Sequence, residues 1–142
     1  CYRFTKQQNY LDAAHKIARF IIDHRPAEND YIPYWDYDAP VTKETPRDVS
    51  AAAVTASAMI ELSTMVPDGQ KYLDYAEKIL KNLSSDAYLA KVGDNQGFIL
   101  MHSVGSLPNG SEIDTPLNYA DYYYLEALKR FMDLKGINYK DI

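Results

Sequence analysis

Tyr10-Leu11-Asp12-Ala13-Ala14-His15-Lys16-Ile17 and Tyr72-Leu73-Asp74-Tyr75-Ala76-Glu77-Lys78-Ile79 share the pattern Tyr-Leu-Asp-x-Ala-x-Lys-Ile, 62 positions apart. Around the first copy, Leu11, Ala14, Ile17, Ala18, Ile21 and Ile22 fall on one face of a 3.6-residue period. Asp12, Lys16, Arg19 and Asp23 fall on the other. This predicts a helix over 10–24, with Asn9 as its N-cap and Pro26 stopping it. Around the second copy, Tyr72, Ala76, Ile79 and Leu83 form the apolar stripe of a helix over 70–83, and Asp68 in the turn Pro67-Asp68-Gly69 is the candidate cap. Asp74–Lys78 and Glu77–Lys81 have the spacing of surface pairs worth ~0.2–0.5 kcal/mol each.

Each copy is followed by a loop and then by a helix that is apolar nearly all round. The first of these, over 49–64, is rich in Ala and Ser with Glu61 as its charge, so it is expected to be buried on most sides and closely approached by its neighbours. The second, over 117–134, opens at Thr115 and Pro116 and closes at Gly136. Amphipathic helices alternating with buried ones are the mark of stacked α-hairpins, an all-α fold, which closed into a ring makes an α/α toroid. Between these helices, 84–90 reads as a short helical turn, Phe98–Met101 as a possible strand, and 102–113 as a Gly/Ser/Pro/Asn loop. The aromatic loop 31–40 and the loop 102–113 each precede an inner-type helix. They are therefore expected on one rim, at the mouth of a ligand cleft.

A chain of 142 residues is enough for one domain, and its net charge of −5 argues against a phosphate-binding surface and so against nucleic acid. No run of about 18 apolar residues is present to cross a membrane as a helix. Thirteen tyrosines stand against four Phe and one Trp; such amphipathic rings suit sugar clefts, but they suit helix interfaces more often. The single cysteine, Cys1, excludes an intrachain disulfide and leaves the compartment open. Cys1-Tyr2-Arg3-Phe4 carries no initiator Met or signal peptide and reads like the last turn of a helix, so the chain is expected to be part of something longer.

Trp35 could stack on a sugar ring or pack on the helical wall. Asp36 and Asp38 are more ordinary as solvated acids than as ligands. Asp48 suits the N-terminus of the helix behind it, where the dipole favours a carboxylate by ~0.3–1 kcal/mol. Arg47 could grip a substrate carboxylate in a fork, but pairing with Asp36 or Asp48 to hold the loop is the stronger expectation. His102 ends an apolar run, and a lone histidine is more often structural than catalytic. Tyr119 and Asp121 are expected to pack within the last helix.

Two stretches resemble a known family: Tyr31-Ile32-Pro33-Tyr34-Trp35-Asp36-Tyr37-Asp38-Ala39-Pro40 followed by Pro46-Arg47-Asp48-Val49-Ser50-Ala51-Ala52-Ala53, and Asn118-Tyr119-Ala120-Asp121-Tyr122-Tyr123-Tyr124-Leu125-Glu126-Ala127-Leu128. Together with Met101-His102-Ser103-Val104-Gly105 they resemble the unsaturated glucuronyl hydrolases, glycoside hydrolase family 88. The resemblance implies an (α/α)6 toroid, with residues 1–142 as its C-terminal segment and the remainder of the same protein as partner. It implies unsaturated uronyl oligosaccharides as substrates, cleaved after proton donation to the 4,5 double bond and addition of water, without metal or cofactor. The family's catalytic aspartates lie in its N-terminal half, so no catalytic residue is assigned here. Trp35, Arg47, His102, Ser103 and Ser106 are the candidate substrate-binding residues. The two serines fall where some members that act on sulfated sugars carry Ser-x-x-Ser-x-Lys; here Pro108 replaces the lysine. The related unsaturated rhamnogalacturonyl hydrolases share the fold and chemistry, though the Pro33-Tyr34-Trp35-Asp36 loop favours the glucuronyl group. A helical-repeat binding domain without activity is the alternative from another class.

Overall fold

The computed structural model describes residues 1–24, 30–138 and 140. A first turn, α1 (Tyr2–Thr5), ends at Lys6 in the left-handed region and matches the helical turn read from the sequence. The helix α2 (Gln8–Asp23) starts ahead of the expected cap: Gln7, not Asn9, is its N-cap, and it makes no side-chain capping bond. The expected stop at Pro26 lies outside the described residues. Next come α3 (Val49–Ser63), α4 (Gln70–Leu83) and α5 (Asn118–Lys135).

Sequence reasons for these bounds are local. Asp48 caps α3 by accepting Ser50 N–H. The turn into α4 is tight because Gly69, its N-cap, lies against the end of α3; a Cβ there would sit 1.9 Å from the Ser63 carbonyl oxygen. Asp68, the expected cap, pairs with Lys71 instead. Leu117, not Thr115, is the N-cap of α5, because Pro116 already lies in the extended approach. Gly136 closes α5 at φ 69, as its lack of Cβ allows.

The buried helix α3 lies at the centre, packed against α4 on one side and α5 on the other. Ala52, Ala53 and Ala56 have no exposed surface, and small side chains there let Ile79 and Leu83 of α4 and Ala120 and Ala127 of α5 approach closely. The amphipathic helix α4 covers this core as read, but α2 is less enclosed: Leu11 and Ala18 are buried, whereas Ile17 is 62% exposed. The two copies of the repeat differ accordingly, with Tyr72 buried and Tyr10 exposed.

Other partners, one within α4 and the rest beyond it, replace the surface pairs expected on α4. Asp74 accepts from Gln70 at 2.7 Å, Glu77 meets Lys135 of α5 at 3.5 Å, and the Lys78 ammonium lies over the Tyr31 ring. At the far end of the inner helices, Arg3 of α1 and Arg130 of α5 both hold Glu61 of α3, and Arg130 also holds Glu126.

The fold is mostly helical but not wholly so. Where the sequence suggested a loop, β1 (Ser103–Ser106) and β2 (Ser111–Thr115) form an antiparallel hairpin around a single 3-10 turn, Leu107–Asn109. The expected strand over 98–101 reduces to one bridge between Leu100 and Leu89. It does not extend because the Asp121 carboxylate takes the Ile99 and Leu100 amides at 2.9 Å each. Asp121 thus ties α5 to the preceding segment rather than only packing inside its helix. Residues 85–89 form the single helical turn read there, with Leu89 N–H bonded to Ser85 O.

Candidate functional site

The two loops placed on one rim do meet there. Asp48 N–H bonds to Pro33 O, and the next amide, Val49 N–H, bonds to His102 O. One carboxylate oxygen of Asp48 accepts from Ser50 N, Ser50 Oγ and Val104 N at 3.0, 2.7 and 3.2 Å. The cap of the buried helix is therefore also the anchor of the hairpin.

Arg47 holds its loop, as expected, but through other partners. It donates to Ile32 O at 2.7 Å, pairs with Asp30 at 3.4 Å and stacks over Tyr34 at 4.0 Å. The expected partners are engaged elsewhere: Asp36 accepts Asp38 N–H in a closed turn, and Asp48 holds the hairpin. Among the described residues no group of three or more His, Cys, Asp or Glu could hold a metal ion. Trp35 is half-buried, with its backbone N–H on Pro46 O. Tyr37 packs against Phe20, and burial, opposed by a bond to Thr55, raises its hydroxyl pKa.

On the other loop, His102 Nδ1 lies 2.5 Å from Asp114 Oδ1, and its ring meets the Tyr88 ring edge-on. Tyr88 donates to Asp30 Oδ2 at 2.8 Å. Burial first, then that bond to the anionic carboxylate, raise the Tyr88 hydroxyl far above its ordinary pKa, so it stays a donor. A continuous series results: Arg47, Asp30, Tyr88, His102, Asp114. It joins the aromatic loop to the hairpin. Asp30, Tyr88 and Asp114 were not singled out from the sequence; each stands alone in a polar or turn-rich segment, and only the chain's path brings them together.

The serines separate. Ser106 is partly exposed and accepts from Asn109 at 2.8 Å. Ser103 takes the inward position of β1, has no exposed surface, and its Oγ has no partner among the described residues. It presents no surface to a ligand at the rim. Tyr119 is 40% exposed, and partial burial raises its hydroxyl pKa despite a bond to Ser50.

No protein-family model matches the chain. Curated relatives do. An unsaturated glucuronyl hydrolase of Formosa agariphila is 45% identical over 133 residues, covering 94% of this chain and 33% of that protein. One from a Bacillus species is 30% identical over 132 residues, covering 90% and 34%. The chain therefore spans about a third of the length of the curated relatives it matches. Among solved structures, an unsaturated glucuronyl hydrolase specific for heparin superposes with a TM-score of 0.91 at 59% identity, over 96% of this chain and 37% of that one. A Streptococcus agalactiae unsaturated glucuronyl hydrolase variant complexed with dGlcA-GalNAc6S gives a TM-score of 0.82 at 28% identity, over 92% and 35%. Sequence and backbone alike are thus similar, along nearly all of this chain's own length, to about a third of the unsaturated glucuronyl hydrolases, whose fold is an (α/α)6 toroid.

Proposed function

We propose that residues 1–142 form the C-terminal segment of a glycosidase that acts on unsaturated uronyl oligosaccharides. The observation that carries this is the joined rim, Arg47 to Asp114, in a chain similar to glucuronyl hydrolases over more than nine-tenths of its length. The reaction is hydration of an enol ether: an acid donates a proton to C4, water adds at C5, and the resulting hemiketal opens to release the neighbouring sugar. The acid comes from outside 1–142. This segment supplies one wall of the cleft, with Trp35, His102 and Ser106 against the sugar and Arg47 and Asp48 holding the loops that carry them. Its partners are the oligosaccharide and the remainder of a relative-length protein.

Chain 1–142 alone is expected to leave the double-bond absorbance of an unsaturated chondroitin or heparin disaccharide unchanged. A chimera in which it replaces the matched third of the Formosa agariphila relative is expected to remove that absorbance. In the chimera, Trp35→Ala should raise KM about tenfold, as loss of an aromatic contact worth ~1–1.5 kcal/mol implies. Cleavage by 1–142 alone, or a folded chimera without activity, would overturn this reading.

A further inference from the structure

His102 and Asp114 reach each other at a cost in backbone strain. Both stand at positive φ, 66 and 51, although neither is glycine. Left-handed non-glycine residues are uncommon, and where they cluster they are often tied to function. Here two strained residues at opposite ends of the hairpin bring an imidazole nitrogen to 2.5 Å from a carboxylate oxygen. The irregular step in the ladder falls between Ser103 and Val104, next to His102. The other supports of His102 are its carbonyl, which accepts Val49 N–H, and the edge of Tyr88.

We propose that Asp114 is a positioning residue for His102. Its carboxylate accepts from Nδ1–H and so fixes the less common neutral tautomer of the imidazole, leaving Nε2 as a bare acceptor at the rim. The acceptor's counterpart is a sugar hydroxyl, which rests on the function proposed above; the tautomer does not. The ring is otherwise placed for this role. The side chain is 44% exposed, and its remaining neighbour, Tyr88, spends its own proton on Asp30.

The chain has three histidines, so side-chain 15N spectra of 1–142 separate them. His24 is a built-in reference, because its Nδ1 faces the Phe20 carbonyl at 2.8 Å and must donate. In the spectra of the neutral imidazoles, His102 is expected to show the same pattern as His24. Asp114→Gly removes the carboxylate while suiting the positive φ, and should shift His102 towards Nε2–H. Glu112→Gly, which relieves the same positive φ two residues away on the strand, should not. Retained protection of the Val104 amide shows that the base of the hairpin is still anchored on Asp48 in each variant. His102 already protonated on Nε2, or unchanged in Asp114→Gly, overturns the proposal. In the active chimera, Asp114→Gly should raise KM about tenfold with kcat within twofold; an unchanged KM overturns the hydroxyl contact. A chimera without activity instead sinks the proposed function and the sugar contact with it, while the tautomer is decided separately by the spectra.

Discussion

Asp48 illustrates how much one carboxylate can hold. It caps α3 and takes the Val104 amide, so Asp48→Ala removes a cap worth about 0.5–2 kcal/mol and leaves a buried N–H unpaired at about 1–3 kcal/mol. The expected loss is about 2–4 kcal/mol in urea unfolding, with the His102 side-chain signals changing at the same time; a loss under half a kcal/mol would remove the double role. Glu61 gives a pH prediction. Its bond to Arg3, then the charges of Arg130 and Arg3, lower its pKa against the opposing effect of partial burial. A depressed carboxylate stabilises the fold above its unfolded pKa, and that stability is lost as pH falls through the depressed value. Glu61→Gln should therefore flatten the fall in Tm below about pH 4.3, measured beside wild type; parallel curves would show that Glu61 contributes nothing there. The cap of α3 was legible from sequence because capping is local. The partner of Arg47 was not, because Asp30 lies 17 positions away across two turns, and local spacing favoured Asp36 and Asp48.

Among the elements, α4 appears where its periodicity put it, and α3 within a residue, because their apolar faces are matched by real neighbours. The hairpin escaped because β2 is exposed along almost its whole length and its residues show no buried alternation to read. The surface pairs on α4 were a fair local expectation; Gln70 of the same helix took Asp74, and longer-range partners took Glu77 and Lys78. The α3–α4 corner depends on a close approach rather than on an unusual φ. Gly69→Ala would press a methyl into the Ser63 carbonyl, and overpacking of this kind costs typically 1–3 kcal/mol. Thermal melts should show the loss, whereas Gly93→Ala, with no atom within 4 Å, would report only its positive φ.

At the scale of the molecule, α3 is closed against α4 and α5 but open towards α2. Ala14, Ile17, Ala18, Thr55, Ala58 and Leu62 line a groove of about 200 Å³ between α2 and α3. Exposed apolar surface of this sort binds dyes and partners. Chain 1–142 alone should enhance the fluorescence of a hydrophobic dye and melt over a broad range, while the chimera should suppress the dye signal and sharpen the transition. Ile17→Asp should reduce dye binding, and Val92→Asp, at a fully exposed site, should leave it unchanged. A sharp melt of monomeric 1–142 without dye binding would mean the groove is not an open interface. The alternation of covered and covering helices was readable in the repeat; the openness of α2 was not, since periodicity shows which face is apolar but not what lies on it.

The manner in which the hairpin is fastened has a consequence for how such a protein diversifies. Its fixed points are the backbone of His102, the Val104 amide and the contact at Asp114, all at the base. The tip, Leu107 to Gly110, is bound mainly to itself, through Gly110 N–H on Leu107 O and Asn109 on Ser106. Insertions and substitutions there leave the scaffold untouched while changing the surface the tip presents. The tip is thus a place where new selectivities could be grafted, by selection or by design, without asking the helices to refold.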